Sequence, residues 1–323
     1  MNSIVLPRPA GRALSGTVVA CLAATWLVWG STYLAIKFAL LGFPPFFQMG
    51  TRFLAAGALL LAWMRFRGAP MPTAKEWRNA LIVGALMLGG GMGGTAYSEQ
   101  TVGSGLVVAF IAVVPMMIAL VNLAFGIRPG RVELLGICVG LGGVLMLTQG
   151  QGFQASPAGL AAIALACATW SVGSVLSQFR FPLARGATGF ASEMLCGGAV
   201  LMAMSWLSGE HVHGVPPTQA VLAWIYLVVF GSLVAFNAYM VLLSRASAGL
   251  ASSYTFVNPL IAMLLGVALG GEHVSPFEWA AVGVVLAGVV LLLMQKREPA
   301  TAKAGSRSAS GTELPNAGVR SET

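Results

Sequence analysis

Residues 104–126 read SGLVVAFIAVVPMMIALVNLAFG, and residues 248–270 read AGLASSYTFVNPLIAMLLGVALG. Each stretch opens on a small residue followed by Gly-Leu and is long enough to cross a bilayer. Each also carries a proline near its middle, Pro115 in the first and Pro259 in the second. Because proline removes an N–H and clashes with the preceding turn, both predicted helices should bend there. Two such helices at matched positions indicate an internally duplicated membrane protein.

The composition of the chain is typical of a membrane protein. Of its 323 residues, 57% are hydrophobic and 9% are charged, and the mean hydropathy is +0.82. Soluble domains carry about 25% charged residues, so this chain has too little polar material to cover a water-facing surface. Its basic residues are dispersed, which argues against nucleic acid as a partner. The four cysteines lie in apolar runs without metal-ligand spacing, and we expect neither a metal site nor a cofactor.

Charged residues, prolines and glycine clusters divide the chain into ten candidate spans of about 20 residues each. They are 18–41, 46–65, 79–97, 104–125, 132–149, 157–178, 188–208, 219–243, 248–270 and 276–295. All but two of the 18 Lys and Arg residues then fall on one side of the membrane, which should be the cytoplasmic side. This distribution predicts a cytoplasmic N-terminus (1–17) and a disordered cytoplasmic tail (296–323).

Further matches extend the duplication along the chain. Trp29 aligns with Trp170 and Arg52 with Glu193, both at an offset of 141 residues. The chain therefore divides into a first repeat at 18–149 and a second at 157–295, each with five predicted helices. Since five is odd, the second repeat enters the membrane from the opposite side, and the repeats are inverted. Such a pair can open alternately to either side around a central site, which predicts a secondary transporter.

Several motifs resemble a known family, the EamA-type transporters of the drug/metabolite transporter (DMT) superfamily. They are WGSTYLAIK (29–37), RFLAAGALLL (52–61), SGLVVAFIAVVP (104–115), GLASSYTFVNPLIAMLLG (249–266) and GGEHVSPFEWAAVGVVLAGVVLL (270–292). The resemblance covers residues 26–294 and is greatest to the YedA-like branch of bacterial inner-membrane proteins. It implies an all-α polytopic membrane protein with two inverted five-helix EamA repeats around a cavity lined by helices 1, 3, 4, 6, 8 and 9. It also implies export or exchange of small metabolites, such as amino acids and their analogues, across the bacterial inner membrane.

Polar and aromatic residues within the predicted cavity helices are candidates for substrate contacts. They are Trp29, Ser31, Thr32, Tyr33, Trp170, Ser174, Asn237, Tyr239, Tyr254 and Asn258. The alternative is that these side chains serve helix packing and interhelical hydrogen bonds. Gly90 and Gly91 in helix 3, with Pro115 and Pro259, are candidates for bending or gating, since glycine weakens a helix; close helix packing is the alternative for the glycines.

Four charged residues within or beside the spans are candidates for coupling. Arg52 and Glu193 occupy equivalent repeat positions, so inversion places them near opposite faces and makes a direct salt bridge between them improbable; anchoring or capping is the alternative. Lys37 lies at the outer end of helix 1, where it can snorkel. Glu99, at the outer end of helix 3, could attract a cation or carry a proton, or be a solvated loop charge. Proton coupling is thus a hypothesis, and the sequence leaves the oligomeric state open.

Metabolite export has three alternatives. Multidrug efflux suits an aromatic cavity with few fixed charges. A membrane enzyme would need a catalytic cluster, yet Asp is absent and the three His (His211, His213, His273) fall in predicted outer loops. A non-transporting scaffold would have no central cavity. We therefore expect a transporter rather than an enzyme, with a small molecule and the lipid bilayer as its partners.

Overall fold

The computed structural model describes residues 15–128, 130–147, 156–245 and 254–294, which form helices joined by short connections, with no strand among them. In chain order the helices are α1 (Gly16–Ala39), α2 (Pro45–Phe66), α3 (Ala74–Ser98), α4 (Ser104–Phe125), α5 (Arg131–Leu147), α6 (Pro157–Phe179), α7 (Ala187–Leu207), α8 (218–245), α9 (Tyr254–Leu269) and α10 (Pro276–Met294).

Local sequence sets several of the helix starts. Ser15 and Ser156 accept hydrogen bonds from the N–H groups of Val18 and Gly159, the N-cap arrangement. Thr73 and Glu76 form a capping box, so α3 begins five residues earlier than the predicted span at 79–97. The spacing Thr-x-x-Glu was visible in the sequence, but the charges around it concealed the helix start.

The described residues confirm an all-helical, polytopic membrane protein. Seven helices are long and apolar enough to cross a bilayer: α1, α2, α3, α4, α6, α7 and α8 up to Leu242. The described parts of α5, α9 and α10 hold shorter apolar stretches, at Leu134–Gly143, Val257–Leu269 and Pro276–Gly288. The predicted start of the ninth span and the predicted tail at 296–323 lie outside the described residues.

Two helices change their hydrogen-bond register midway. In α3 a π-helical segment occupies Ala85–Met92, and in α8 another occupies Leu227–Val234. Each is eight residues long and is flanked by ordinary α-helix. Single π turns often occur at functional sites, and a full π segment widens the helix and redirects the side chains around it.

The prolines of the opening motif have different effects on their helices. In α4 the chain leaves the helix at residues 112–113 and resumes at Val114–Asn122, just before Pro115. In α9, Pro259 lies inside the continuous helix Tyr254–Leu269. The helix is therefore interrupted just before Pro115 in α4, whereas α9 retains its helical assignment through Pro259.

Glycines bring two pairs of helices into close contact. A Cβ at Gly57 of α2 would lie 3.0 Å from the carbonyl oxygen of Ala191 in α7. A Cβ at Gly143 of α5 would lie 2.7 Å from the backbone nitrogen of Val285 in α10. Small residues permit this approach of backbones, which is the usual basis of helix association in membranes.

Candidate functional site

A cavity of about 60 Å³ lies between α1, α3, α4 and α6. Its walls are Tyr33, Gly91, Met92, Thr95, Ile111, Val114, Ala166, Cys167 and Trp170. One water molecule needs about 10–15 Å³ of such space, so the cavity has room for a few waters only. A ligand as large as an amino acid therefore requires the surrounding helices to separate. The walls offer two aromatic rings and two hydroxyls, those of Tyr33 and Thr95, but no charged side chain.

The glycines of α3 allow the cavity wall to form. A Cβ at Gly91 would lie 2.9 Å from the ring of Trp170, and a Cβ at Gly90 would lie 2.6 Å from the Thr169 hydroxyl. Both positions belong to the π segment, so α3 is neither unwound here nor an ordinary α-helix. The contacts of Gly90 and Gly91 are those of close packing against α6, which was the alternative interpretation of these residues.

A second aromatic group lies between α1, α8 and α9. The ring of Trp29 lies 5.3 Å from Tyr239 of α8 and 4.8 Å from Tyr254 of α9, centroid to centroid. Trp29 Nε1 also donates a hydrogen bond of 3.3 Å to the carbonyl oxygen of Gly231, inside the π segment of α8. Trp29, Tyr239 and Tyr254 are thus brought together from three helices, while Trp170 and Tyr33 line the cavity.

The remaining polar candidates have partners within the protein. Ser31 Oγ lies 2.7 Å from the Tyr226 hydroxyl, and Thr32 donates to the carbonyl oxygen of Trp29 at 2.6 Å. The exposed Asn237 donates to a carbonyl of its own helix, and Ser174 contacts the sulfur of Met87. These bonds are of the kind that the packing interpretation expects.

Asn258 supports the backbone just before Pro259. With its amide oriented to donate, Asn258 reaches the carbonyl oxygens of Tyr254 and Trp26, each at 3.2 Å. Pro259 has no N–H, so a carbonyl of the preceding turn lacks its usual helical partner. Asn258 supplies a donor to that turn and ties α9 to α1.

Arg52 is buried inside the protein rather than anchored at a membrane surface. Its Nε donates to Ser232 Oγ at 2.9 Å, in the π segment of α8, and its guanidinium lies 4.9 Å from the ring centroid of Phe53. Glu193 is also buried, in α7. Within the described ranges the structure contains one ion pair, and it does not join Arg52 to Glu193.

That ion pair joins α1 to the connection after α9, on the face that the sequence predicts to be the outer one. Lys37 Nζ is 2.8 Å from Glu272 Oε1, and the same carboxylate accepts hydrogen bonds from the N–H groups of Ser104 and Gly105 at 2.7 and 3.0 Å. Glu272 therefore caps the first turn of α4, where a carboxylate favours the positive end of the helix dipole. We call this group, Lys37 with Glu272, Ser104 and Gly105, the outer latch, after the side that the charge distribution predicts for it.

Electrostatics keeps the carboxyl of the outer latch ionised. Burial by itself raises the pKa of Glu272, but the hydrogen bonds from Lys37, Ser104 and Gly105 outweigh it, and the pKa lies below its ordinary value. Sequence reasoning assigned Glu272 to an outer loop without a role. The signal that could have found it was opposite charge on one predicted face, with Lys37 at the end of helix 1 and Glu272 in the connection between the last two spans.

A second carboxylate forms a similar cap nearby. Glu210, in the connection after α7, accepts hydrogen bonds from the backbone N–H groups of Phe46 and Phe47 at 3.1 and 2.8 Å. It thereby caps the start of α2. Like Glu272, Glu210 was assigned only to a loop, because capping across a chain separation of more than 150 residues cannot be inferred from local pattern.

Glu99 differs from these capping residues. Its side chain is 4% exposed, and neither carboxylate oxygen has a hydrogen-bond partner in the structure. The alternative of a solvated loop charge is therefore wrong.

Comparison with known proteins places the chain in a family. A model of the EamA-like transporter family matches residues 14–149 and again residues 157–294. The chain is 41% identical over 276 residues to the uncharacterized inner membrane transporter YedA of Escherichia coli, a match that covers 85% of this chain and 90% of that protein. It is 27% identical over 307 residues to a WAT1-related chloroplastic protein of Arabidopsis thaliana, covering 90% and 72% of the two chains. A protein crystal structure with 23% identity has a similar fold, with a TM-score of 0.60 and coverage of 87% and 98%.

Fold and relatives together define a polytopic membrane transporter. The chain belongs to the EamA-like transporter family of the drug/metabolite transporter superfamily, within its YedA-like branch.

Proposed function

We propose that this protein is a secondary active exporter of small metabolites, such as amino acids or their analogues, in a bacterial inner membrane. It works by alternating access between two inverted repeats, 18–149 and 157–295, of five transmembrane helices each. Its N- and C-termini are cytoplasmic, and it has no enzymatic activity.

Three observations support the two-repeat architecture. The family model matches the chain twice, at 14–149 and 157–294. The two π segments begin 142 residues apart, at Ala85 and Leu227, close to the offset that relates Trp29 to Trp170. Helices at equivalent repeat positions, α2 with α7 and α5 with α10, pack directly against each other, as they would beside a pseudo-two-fold axis.

The observation that carries the mechanism is the outer latch. It joins α1 and α4 of the first repeat to the connection after α9 of the second. At the equivalent positions of the opposite end, offset by 141 and 144 residues, stand Gln178 and Arg128, which are both exposed. Among the described residues, an ion pair therefore holds one end together, and the other end has no corresponding pair. Inverted repeats can exchange these two arrangements, which opens the cavity to each side in turn.

The cavity walls support a substrate with apolar or aromatic surface. Trp170 and Tyr33 supply rings, and Thr95 supplies a hydroxyl whose hydrogen is donated to the Gly91 carbonyl. The absence of a charged side chain among these walls also favours a second candidate function, multidrug efflux, because a charge-free aromatic cavity accepts many apolar molecules.

A tolerance screen followed by reconstitution tests the proposal and separates the two candidates. Cells that overexpress the protein should tolerate toxic amino acids or analogues better than cells with an empty vector. The purified protein in liposomes should then exchange the same radiolabelled compound by counterflow. Tolerance confined to unrelated lipophilic dyes and antibiotics would favour multidrug efflux. Unchanged tolerance together with no counterflow of any tested compound would contradict transport.

The hypothesis that Glu193 carries a coupling proton can be tested in the same liposomes. Replacing Glu193 with Gln keeps the shape of the side chain and removes its ionisable proton. If the hypothesis is correct, the substitution abolishes the pH-driven component of transport while counterflow continues. Undiminished pH-driven transport by Glu193→Gln would contradict it.

A further inference from the structure

Glu99 is a buried acid that the outer latch and the cavity walls leave unexplained. The residue is 4% exposed, yet both carboxyl oxygens lack a hydrogen-bond donor. Buried carboxylates in proteins are normally paired or hydrogen-bonded, because an isolated negative charge is costly away from water. Glu99 must therefore be neutral in this conformation, with its proton on one of the two oxygens.

The position of Glu99 connects the cavity to the outer latch. Its N–H donates to the carbonyl oxygen of Thr95 at 3.1 Å, so the helical turn continues and the two residues share one face of α3. Thr95 is a wall of the cavity, and so is Tyr33, whose hydroxyl is close enough to interact electrostatically with Glu99. Glu99 thus lies one turn beyond the cavity, toward the outer latch.

Among the described residues, few ionisable groups interact with Glu99. Helix α1 contributes Tyr33 and Lys37, α2 contributes Arg52, and the connection after α9 contributes Glu272. Lys37 is already bound to Glu272, and Arg52 Nε is already bound to Ser232.

Two further helices line this region, α4 and α6. Their sequences contain no Asp, Glu, Lys, Arg or His, and Cys167 of α6 is the one ionisable side chain that they bring to the cavity. Burial, and secondly the Glu272 carboxylate, raise the pKa of Glu99 well above its ordinary value, and Lys37 and Arg52 oppose this only in part.

We propose that Glu99 is a proton-binding site of the transport cycle, which takes up a proton from the outer side and releases it on the inner side. When the outer latch separates, water reaches the carboxylate and a hydronium ion transfers its proton to one oxygen. Closure of the latch then buries the neutral acid. When the opposite end opens, water reaches the acid from the inner side. The O–H bond of Glu99 then breaks, and its proton passes to that water. The inference rests on the proposed transport function and names the coupling ion and its carrier.

Carbodiimide labelling tests the proton site in the wild-type protein, without any substrate. Carbodiimides react with protonated carboxyl groups in apolar surroundings and leave an acylurea that mass spectrometry locates. In liposomes the Glu99 peptide should be labelled up to neutral pH and above, and Glu99→Gln should lose that label. Glu76, whose carboxylate makes a solvent-exposed hydrogen bond to Thr73, serves as the internal control and should react only in acid. If Glu99 reacts only in acid, like Glu76, or does not react while other buried carboxyls do, the proposal is overturned.

Transport with a pH gradient tests the coupling itself. The probe is a radiolabelled amino-acid mixture, and wild type, Glu99→Gln and the control Glu76→Gln are compared. We expect Glu99→Gln to retain counterflow, but the stimulation of its transport by a pH gradient should be at least ten-fold smaller than in wild type. Glu76→Gln should retain both activities. Equal stimulation of wild type and Glu99→Gln overturns the proton site. If the wild type shows no counterflow, the proposed transport function is contradicted instead. The carbodiimide labelling alone then tests whether Glu99 binds a proton.

Discussion

Trp170 forms the aromatic wall of the cavity, and its ring lies against the backbone of α3 at Gly91. Trp170→Leu removes that wall, and we expect kcat/KM for the transported compound to fall about ten-fold, equivalent to about 1.4 kcal/mol. The measurement is initial counterflow rate against concentration in liposomes. Trp206→Leu is the matched control, because Trp206 is 80% exposed on α7 and far from the cavity walls. Equal losses for the two variants would show that Trp170 has no specific role.

The buried acid Glu99 makes a separate prediction about stability. Its pKa is raised in the folded protein, so the unfolded chain releases this proton at lower pH than the folded one. Wild type therefore loses stability as the pH rises from the ordinary pKa of Glu to the folded value, and Glu99→Gln does not. The melting temperature of Glu99→Gln should exceed that of wild type at about pH 8 and match it at about pH 4. A difference that is the same at both pH values would contradict a protonated Glu99.

At the scale of single residues, the sequence indicated which side chains are candidates for a role. It did not indicate equally well which other residues they contact. Trp29, Tyr239 and Tyr254 were chosen as aromatic residues on cavity helices, and they do meet. Glu272 was overlooked, since a loop glutamate looks ordinary until the fold brings Lys37 and the first turn of α4 beside it. Such partners are set by tertiary packing, which local pattern does not encode.

The π segment of α3 is the element where packing is tightest. Adding a methyl group by Gly90→Ala places Cβ 2.6 Å from the Thr169 hydroxyl of α6, so one helix must shift. Overpacking of this kind typically costs about 1–3 kcal/mol. We expect a lower melting temperature in nanodiscs and slower transport.

Gly142→Ala is the matched control for Gly90→Ala. A Cβ at Gly142 meets no atom within 4 Å, and alanine favours a helix over glycine by about 0.5–1 kcal/mol. Its melting temperature should stay the same or rise slightly. If Gly90→Ala is as stable and active as Gly142→Ala, the close contact between α3 and α6 is not required.

The outer latch holds α1, α4 and α9 together, and Glu272→Gln should release it. The substitution removes the charge that binds Lys37 and weakens the cap on α4. Spin labels at the exposed positions Leu41 and Leu269, in a cysteine-free background, report the distance between the outer ends of α1 and α9. We expect Glu272→Gln to add a population at longer distance.

A control variant and the pH dependence of the distance test the prediction for Glu272→Gln. Glu76→Gln removes a carboxylate cap at the start of α3 and should leave the distance unchanged. Because the pKa of Glu272 is lowered, the latch should stay closed at neutral pH and open only as the pH falls through that lowered value. An unchanged distance distribution in Glu272→Gln would contradict the latch.

The sequence indicated where the helices lie. It did not indicate where the hydrogen-bond register changes within them. The run of glycines in α3 indicated a weak point, whereas the corresponding run LVVFGSLV in α8 has a single glycine and gave no comparable signal. Both nevertheless form π segments, because tertiary contacts select the register. Likewise two matched prolines predicted two similar helices, but the Asn258 amide supports the turn before Pro259 and nothing equivalent precedes Pro115, where Val114 stands.

For the whole molecule, composition and duplication carried most of the information. A mean hydropathy of +0.82 with few charges required a membrane protein, and apolar side chains such as Leu27, Leu145 and Leu165 are indeed exposed on the helices. The motifs identified the family, which two matches of the family model confirm. The size of the cavity could not be predicted, because it depends on how far the helices have closed.

Alternating access is the central claim, and the accessibility of Thr95 tests it most directly. Thr95→Cys, in a cysteine-free background, is exposed to a membrane-impermeant maleimide from the outside or the inside of oriented vesicles. Met71 and Val215 are exposed, in connections that the charge distribution predicts to be inner and outer respectively, so Met71→Cys and Val215→Cys should each react from that side only. We predict that Thr95→Cys reacts from both sides. Reaction from one side alone, or from neither, would contradict the account.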